Sequence, residues 1–188
     1  TKSNVQLQII GSKSYTHFFD LIPLLGENEF KIGHTQKINV IKEDVGKIQE
    51  IKIQAADRNS NLKWFLSKIK INKKSVRKSF SFPFHQWIRP GKIYSSDKNF
   101  IEYTIKLHTG DVAAGGTDAN VSMIIYGTRG ETKPIHLNEL IARNAFEAGN
   151  IDYIKFAHKN LGSIKKIKIW HDEKWLGDGW FLNKIKIK

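Results

Sequence analysis

An internal repeat with a constant offset of 116 residues is the feature that most constrains this chain. The alignment of residues 5–72 with residues 121–188 needs no gap. The matched positions are mainly apolar residues and glycines, which a shared backbone would fix first. The sequence therefore predicts two copies of one fold. The strongest matches are 5–11 with 121–127, 46–53 with 162–169, and 64–71 with 180–187.

Apolar and polar residues alternate with a period of two along both copies. The segment 100–108 (FIEYTIKLH) and the segment 162–169 (GSIKKIKI) both place β-branched residues between lysines and other polar side chains. This period is typical of half-buried antiparallel strands with one face in water. Turn signals such as Gly115-Gly116 separate them. We predict an all-β fold of two consecutive antiparallel β-sandwiches.

The copies are out of phase with the ends of the chain. The segment 100–108 has no counterpart before Thr1, and the segment 79–88 has none after Lys188. We expect a sandwich at 1–90 that lacks its first strand, a linker at 91–99 and a sandwich at 100–188 that lacks its last strand. The chain would then be an excerpt from a longer array, cut within a repeat at both ends.

The charge of the chain is strongly positive. Its 188 residues carry 31 Lys and Arg against 18 Asp and Glu, a net charge of +13, and most of the excess lies in residues 1–100. This charge favours an anionic partner, either lipid headgroups, nucleic acid or an acidic protein. The alternative is an ordinary lysine-rich surface. No cysteine is present, which excludes disulfides and thiolate chemistry.

Signatures of catalysis are absent from the sequence. The seven histidines show no paired metal-ligand spacing, and no G-x-S-x-G or phosphate-loop motif occurs. His171 precedes Asp172, but such a pair needs a nucleophile to act. No aromatic-basic motif of the usual nucleic-acid modules occurs either. We therefore expect neither an enzyme nor a nucleic-acid-binding protein.

Several motifs occur together in the second copy. TGDVAAGGTDANV at 109–121 is followed by NAFEAG at 144–149, and IWHDEKWLGDGWFL spans 169–182. In this combination they resemble the PLAT, or lipoxygenase-homology, domain, and the first copy resembles a divergent member. The resemblance implies a sandwich of two four-stranded sheets that docks to membranes or to other proteins and is not itself a catalyst.

The same resemblance implies calcium binding in loops at one end of the second sandwich. Calcium takes 6–8 oxygen ligands, so carboxylates, amide oxygens and carbonyls must converge. The alternative is that Asp118 and Asn144 cap turns through local hydrogen bonds. Asp111 and Asp178 could serve a neighbouring ion. The candidate metal residues are Gly116, Thr117, Asp118, Asn144, Ala145, Glu147 and Asp178.

The first copy lacks most of these candidate metal residues. At the positions of Asp118, Glu147 and Asp178 it carries Lys2, Lys31 and Leu62, and only Asn28 matches Asn144. Ammonium groups repel a divalent cation, so we expect no calcium there. Basic loops could instead contact phosphate headgroups directly.

Trp175, between Lys174 and Leu176, is a candidate for contact with a membrane or a partner. An indole in an exposed loop can enter the headgroup boundary, and calcium nearby would reduce repulsion from anionic lipid. The alternative is that Trp175 packs under its own loop. Trp64, Trp180, Phe82 and Trp87 are predicted to lie in the sandwich cores.

Two functions therefore remain open. The first is docking to an anionic membrane surface, helped by calcium in the second copy. The second is a protein-binding adaptor in a structural array. Further repeats of the same chain are expected, as is an intracellular place at a membrane or the cytoskeleton, the cilium included.

Overall fold

The computed structural model describes residues 4–24, 33–55, 64–141, 144–172 and 179–188. The chain divides into two compact units, Thr1–Phe100 and Ile101–Lys188. Both units consist of antiparallel strands and short 3-10 turns, which confirms the predicted all-β class of two β-sandwiches. No helix in the described residues is long and apolar enough to cross a bilayer.

The first unit contains a four-stranded sheet in the order β2-β1-β3-β6 and a two-stranded sheet, β4-β5. Val5, Leu7 and Ile9 of β1 are buried, whereas Gln6 and Gln8 between them are only half-buried, as the period of two predicts. One apolar cluster fills this unit. Its strands are β1 (Val5–Gly11), β2 (Phe19–Asp20), β3 (Ile48–Ala55), β4 (Trp64–Lys73), β5 (Lys78–Ile88) and β6 (Ile93–Asp97).

The second unit contains one sheet in the order β10-β8-β12, with β9 also paired to β8, and a second sheet in the order β11-β7-β13. Its own apolar cluster includes Ile105, Leu107 and Met123, all fully buried. The strands are β7 (Phe100–Thr109), β8 (Val121–Gly127), β9 (Gly130–Glu131), β10 (Ile135–His136), β11 (Ile151–Lys159), β12 (Ile164–His171) and β13 (Leu182–Ile187).

The repeat is confirmed in the backbone. Strands β1 and β8, β2 and β10, and β3 and β12 each begin 116 residues apart. A Cβ built on Gly11 would lie 2.1 Å from the carbonyl oxygen of Val45, and one on Gly127 would lie 2.2 Å from that of Leu161. Both glycines therefore allow the same close crossing of two chain segments.

Residues 91–99 differ from the predicted linker. They contain β6, which pairs antiparallel with β3 inside the first unit. Ser96 is fully buried, and its hydroxyl donates a hydrogen bond of 2.8 Å to the carbonyl oxygen of Pro83 in β5. The sequence of β6, IYSSD, did not indicate a strand, because its buried position is a serine and not an apolar residue. The hydrogen bond of this serine makes its burial possible.

The sheets also differ from the two four-stranded sheets that the resemblance implies. The segment 35–43, which is the repeat counterpart of β11, contains no strand. In the described residues, the first unit shows no counterpart of β7 and the second shows none of β5 or β6. A 3-10 turn follows β10 at Leu137–Glu139.

Trp87 is not a core residue, contrary to the prediction. It is 38% exposed and packs edge-to-face against Phe65, with ring centroids 5.4 Å apart. The register of β4 and β5 shifts between Leu66 and Lys68, and His85 opposite has a φ of 43°. Phe82, Phe84 and Ile88 of the same strand are buried, so the period of two by itself places Trp87 on the outer face of the sheet. Phe82 is buried, as predicted, at 1% exposure.

Candidate calcium and docking site

Two loops of the second unit lie side by side at one end of the sandwich. The backbone N–H of Thr117 donates a hydrogen bond of 3.1 Å to the carbonyl oxygen of Phe146. A Cβ built on Gly116 would lie 3.0 Å from that same oxygen, so glycine permits the contact. Residues 116–118 are therefore held next to residues 144–147.

Phe146 anchors the second of these loops. Its side chain is fully buried and packs against Trp180, with ring centroids 5.4 Å apart. Its N–H donates a hydrogen bond of 2.9 Å to Oδ2 of Asp152. Asn144 and Phe146 both have a φ of 62°, a left-handed conformation that costs energy for non-glycine residues. The anchor holds this strained turn in place.

Three polar side chains of the predicted set, those of Asp118, Asn144 and Glu147, are exposed here. Hydrogen bonds and ion pairs within the chain are not seen for any of the three in the described residues. The choice between a calcium site and turn caps for Asp118 and Asn144 stays a prediction from sequence. Thr117 differs, because it is buried and its hydroxyl accepts a hydrogen bond of 3.2 Å from the N–H of Ala119.

The donor chemistry fits a hard cation in part. Asp118 and Glu147 provide carboxylates and Asn144 an amide oxygen, which are the ligand types that calcium takes. Ala145, predicted to help through its carbonyl, lies in the same turn and is half-buried. Within the described stretches, no group of three or more His, Asp or Glu side chains converges. Asp178 lies outside the described residues.

The segment 173–178 carries Lys174, Trp175, Leu176 and Asp178 and lies outside the described residues, but both of its flanks are placed. The carboxylate of Asp172 accepts hydrogen bonds of 2.6 and 2.7 Å from the backbone N–H and the side-chain amide of Asn120. The N–H of Phe181 donates to the carbonyl oxygen of Gly115 at 3.0 Å. The described residues on both sides of the segment, Asp172 and Phe181, therefore lie beside the loop that carries Asp118.

The first unit's counterparts of these positions are Lys2, Asn28, Lys31 and Leu62. All four lie outside the described residues. The absence of calcium from the first copy therefore stays a prediction from sequence.

Sequence reasoning did not assign a role to Phe146, Asp152 or Gly149. The carbonyl oxygen of Gly110 accepts a hydrogen bond of 3.1 Å from Gly149, so Gly149 ties the second loop to the end of β7. A single large apolar residue among the small and polar residues of 144–149 is the signal that could have revealed a buried anchor.

The chain is thus a pair of antiparallel β-sandwich modules. In the second module, two loops that carry carboxylate and amide side chains lie side by side at one end. The family model described as PLAT/LH2 domain matches residues 1–101 and 103–188. The chain belongs to this family.

Three relatives illustrate the range of proteins to which the chain is similar. Human lipoxygenase homology domain-containing protein 1 is 26% identical over 202 residues, which cover 100% of this chain and 10% of that protein. Human polycystin-1 is 30% identical over 96 residues, covering 50% of this chain and 2% of its own. Allene oxide synthase-lipoxygenase protein from Plexaura homomalla is 31% identical over 53% of this chain and 10% of its own.

Among solved structures, the crystal structure of the Delta413-417:GS form of LOX is 30% identical in sequence. It covers 47% of this chain and 13% of its own, with a TM-score of 0.42. The chain thus spans a tenth or less of the length of the first of these relatives.

Proposed function

We propose that this chain is a non-catalytic docking segment that binds an anionic membrane surface, with calcium assistance in the second unit. The pairing of the loops at Thr117 and Phe146 supports this most directly, because it brings the segments of Asp118, Asn144 and Glu147 together while leaving their side chains exposed. A cation bound there would reduce the repulsion between these carboxylates and anionic lipid.

Docking would extend to the segment 173–178. Its two flanks are bonded to the loop of Asp118 through Asn120 and Gly115. Trp175 and Leu176 would then meet the headgroup boundary where calcium is bound, with Lys174 adding an attraction of about 1 kcal/mol. The first unit would contribute through charge alone, since its counterparts include Lys2 and Lys31.

A protein adaptor is the second candidate function. It is favoured by Phe65 and Trp87, which form an exposed aromatic pair on the outer face of β4-β5. Paired aromatic residues on a flat surface are typical of protein contacts. In either case we propose an intracellular place at a membrane or the cytoskeleton, the cilium included, and further repeats in the parent protein.

Sedimentation with vesicles tests the first function. We expect the chain to bind phosphatidylserine-containing vesicles more tightly with calcium than with a chelator, and to bind pure phosphatidylcholine weakly. Asp118→Asn combined with Glu147→Gln should lower the calcium-dependent affinity on the order of tenfold, because both carboxylate ligands are lost. The calcium-independent part of binding should remain.

Glu131→Gln is a control, because it removes an exposed carboxylate from a residue that pairs with Tyr126 near the opposite end of β8. It should leave calcium dependence unchanged. Equal binding to both kinds of vesicle, indifferent to calcium, would leave the adaptor as the better account of the chain.

A further inference from the structure

The hairpin that joins β4 to β5 carries a dense group of positive charges. A 3-10 turn at Lys74–Val76 connects the two strands, and Arg77 follows it with a φ of 50°. Residues 73–78 (KKSVRK) contain four cations and no carboxylate. We call these six residues the basic turn. The side-chain hydroxyl of the basic turn belongs to Ser75.

Like charges face one another where the basic turn begins. Lys73 of β4 is directly opposite Lys78 of β5 in the register of the hairpin, and like charges at directly opposite positions are destabilising. The ammonium group of Lys73 is paired with the carboxylate of Asp44. In the stretches that the structure describes, no such partner is found for Lys74, Arg77 or Lys78. These three cations can therefore pair with an added anion.

Ser75 presents its hydroxyl to solvent. The residue is exposed, and no hydrogen bond of its side chain is seen in the described part of the chain. Cations flank it within two residues on both sides, with Lys73 and Lys74 before it and Arg77 after it. Val76, the next residue, is 50% exposed, so the turn buries little apolar surface.

Few interactions keep the basic turn closed. Its internal backbone hydrogen bond runs from the N–H of Arg77 to the carbonyl oxygen of Lys74 and is 3.2 Å long. The next contact along the hairpin is the pair of Lys73 and Lys78, which their like charges weaken. A segment with few buried apolar contacts and few hydrogen bonds opens locally at a small cost in free energy. The turn can therefore be drawn out into an extended segment.

We propose that Ser75 is a phosphorylation site for a protein kinase that selects basic sequences. Such a kinase binds an extended substrate segment in an acidic groove, so cations on both sides of the serine favour binding. In the transfer, the Ser75 oxygen forms a bond to the γ-phosphorus of ATP. The bond from that phosphorus to the β–γ bridging oxygen breaks and ADP leaves, while the hydroxyl proton passes to a carboxylate base of the kinase.

The cations of the basic turn would stabilise the product. A phosphoserine carries a charge of about −1.5 to −2 at neutral pH and three acceptor oxygens. Lys74, Arg77 and Lys78 supply matching donors, and a guanidinium can bind a phosphate through two parallel hydrogen bonds. The formal charge of residues 73–78 would fall from +4 to about +2. The modification would thus weaken the attraction of this turn for any anionic partner, and it does not depend on the proposed membrane docking.

Ser79 and Ser163 also lie near cations in the sequence, but both are already bonded. The hydroxyl of Ser79 donates a hydrogen bond of 2.6 Å to Oδ1 of Asn72. The N–H of Ser163 donates one of 3.1 Å to the hydroxyl oxygen of Thr128, and its carbonyl oxygen accepts one of 3.0 Å from the N–H of Thr128. A kinase would have to break these bonds, so the structure favours Ser75 over both.

Phosphorylation of the folded chain in vitro tests the site. With ATP and the catalytic domain of protein kinase C, which selects basic sequences, we expect one phosphate per chain, located at Ser75 by mass spectrometry. Casein kinase II, which selects acidic sequences, should leave Ser75 unmodified. Ser75→Ala should remove the phosphate. Ser163→Ala is the matched control and should leave it in place.

Removal of charge tests how the kinase recognises the turn. Lys74→Gln combined with Arg77→Gln should lower kcat/KM for the kinase on the order of tenfold, because two charges that an acidic groove selects are lost. Lys68→Gln combined with Lys70→Gln is the matched control, since it removes the same charge from exposed positions of β4 outside the turn. This control should change kcat/KM by about twofold at most.

Phosphorus NMR tests the ion pairs of the product. Cations beside the phosphoserine should hold its second pKa below the ordinary value of about 6, because they favour the dianion. That pKa should return toward its ordinary value in Lys74→Gln combined with Arg77→Gln, phosphorylated to completion by longer incubation. It should stay low in Lys68→Gln combined with Lys70→Gln.

Three results would overturn the inference. The first is a phosphate at Ser79 or Ser163 in place of Ser75. The second is phosphorylation only after urea has unfolded the chain, which would mean that the turn does not open in the folded state. The third is an equal fall in kcat/KM in both double variants, which would mean that overall charge and not the basic turn directs the kinase.

Discussion

Thr16 and Thr132 hold the same place in the two units, 116 residues apart. The hydroxyl oxygen of Thr16 accepts a hydrogen bond of 2.9 Å from the N–H of Ile9, and that of Thr132 accepts one of 3.1 Å from the N–H of Ile125. Each threonine N–H in turn donates to the carbonyl oxygen of the same isoleucine. The two units therefore share equivalent side-chain and backbone hydrogen bonds at this position.

Replacing Thr132 with alanine should destabilise the second unit. Both Thr132 and Ile125 are buried, so the substitution would leave a buried N–H without a partner. The expected cost is about 1–3 kcal/mol in the free energy of unfolding, measured by chemical denaturation. Thr132→Ser keeps the hydroxyl and should recover most of the loss. Equal stability of the alanine variant and the wild-type chain would contradict this assignment.

Replacing Gly127 with alanine should also destabilise the second unit, through a steric clash. The new Cβ would lie 2.2 Å from the carbonyl oxygen of Leu161, which is backbone and cannot rotate away. We expect a loss of about 1–3 kcal/mol, seen as a lower midpoint of thermal unfolding. Gly179→Ala is the control, since its Cβ would meet open space. A neutral Gly127→Ala would mean that the two segments cross less closely.

The fold was largely predictable because the same alternation of apolar and polar residues occurs in both copies. The match of Val5, Leu7 and Ile9 with Val121, Met123 and Ile125 predicted one half-buried strand in each copy, and β1 and β8 are those strands. The strand β6 was missed because its inward residue, Ser96, is polar. A buried hydroxyl that satisfies its hydrogen bond through a distant carbonyl cannot be recognised from local sequence.

The sequence named the members of the candidate site but not the contacts that hold its loops. Asp118, Asn144 and Glu147 were named from the motifs that carry the family resemblance, and the described residues place their segments in two adjoining loops. The anchoring of Phe146 by Asp152 depends on a three-dimensional contact. The outward position of Trp87 follows from the alternation in β5 itself, where Phe82, Phe84 and Ile88 are buried, so the sequence could have shown it.

The stability of the second unit should depend on pH through His108. Burial and the neighbouring Lys106, Lys184 and Lys186 lower its pKa in the folded chain, while in the unfolded chain it keeps its ordinary value of about 6.5. The unfolded state therefore binds the proton first as pH falls. Stability is full above about pH 6.5 and declines as pH drops toward the folded pKa.

His108→Gln should flatten this part of the stability profile, measured as the unfolding midpoint in urea across a pH series. His34→Gln, at an exposed position of the first unit, is the control and should leave the slope unchanged. A parallel profile for His108→Gln and the wild-type chain would show that His108 does not titrate with folding.

Tyr103 ties β7 to the connection between β11 and β12. Its hydroxyl oxygen accepts a hydrogen bond of 2.8 Å from the buried N–H of Leu161, and its ring stacks on Phe156 with centroids 5.1 Å apart. Tyr103→Phe keeps the stacking but leaves that N–H unpaired, so we expect a loss of about 1–3 kcal/mol. Tyr153→Phe removes a hydroxyl from a side chain that is 61% exposed, and should stay within about 0.5 kcal/mol of wild type.

Hydrogen exchange at Leu161 provides a local readout, because its amide should lose protection in Tyr103→Phe and keep it in Tyr153→Phe. If both variants exchange alike, the hydroxyl contributes nothing there, and packing against Phe156 alone holds β7 in the second core.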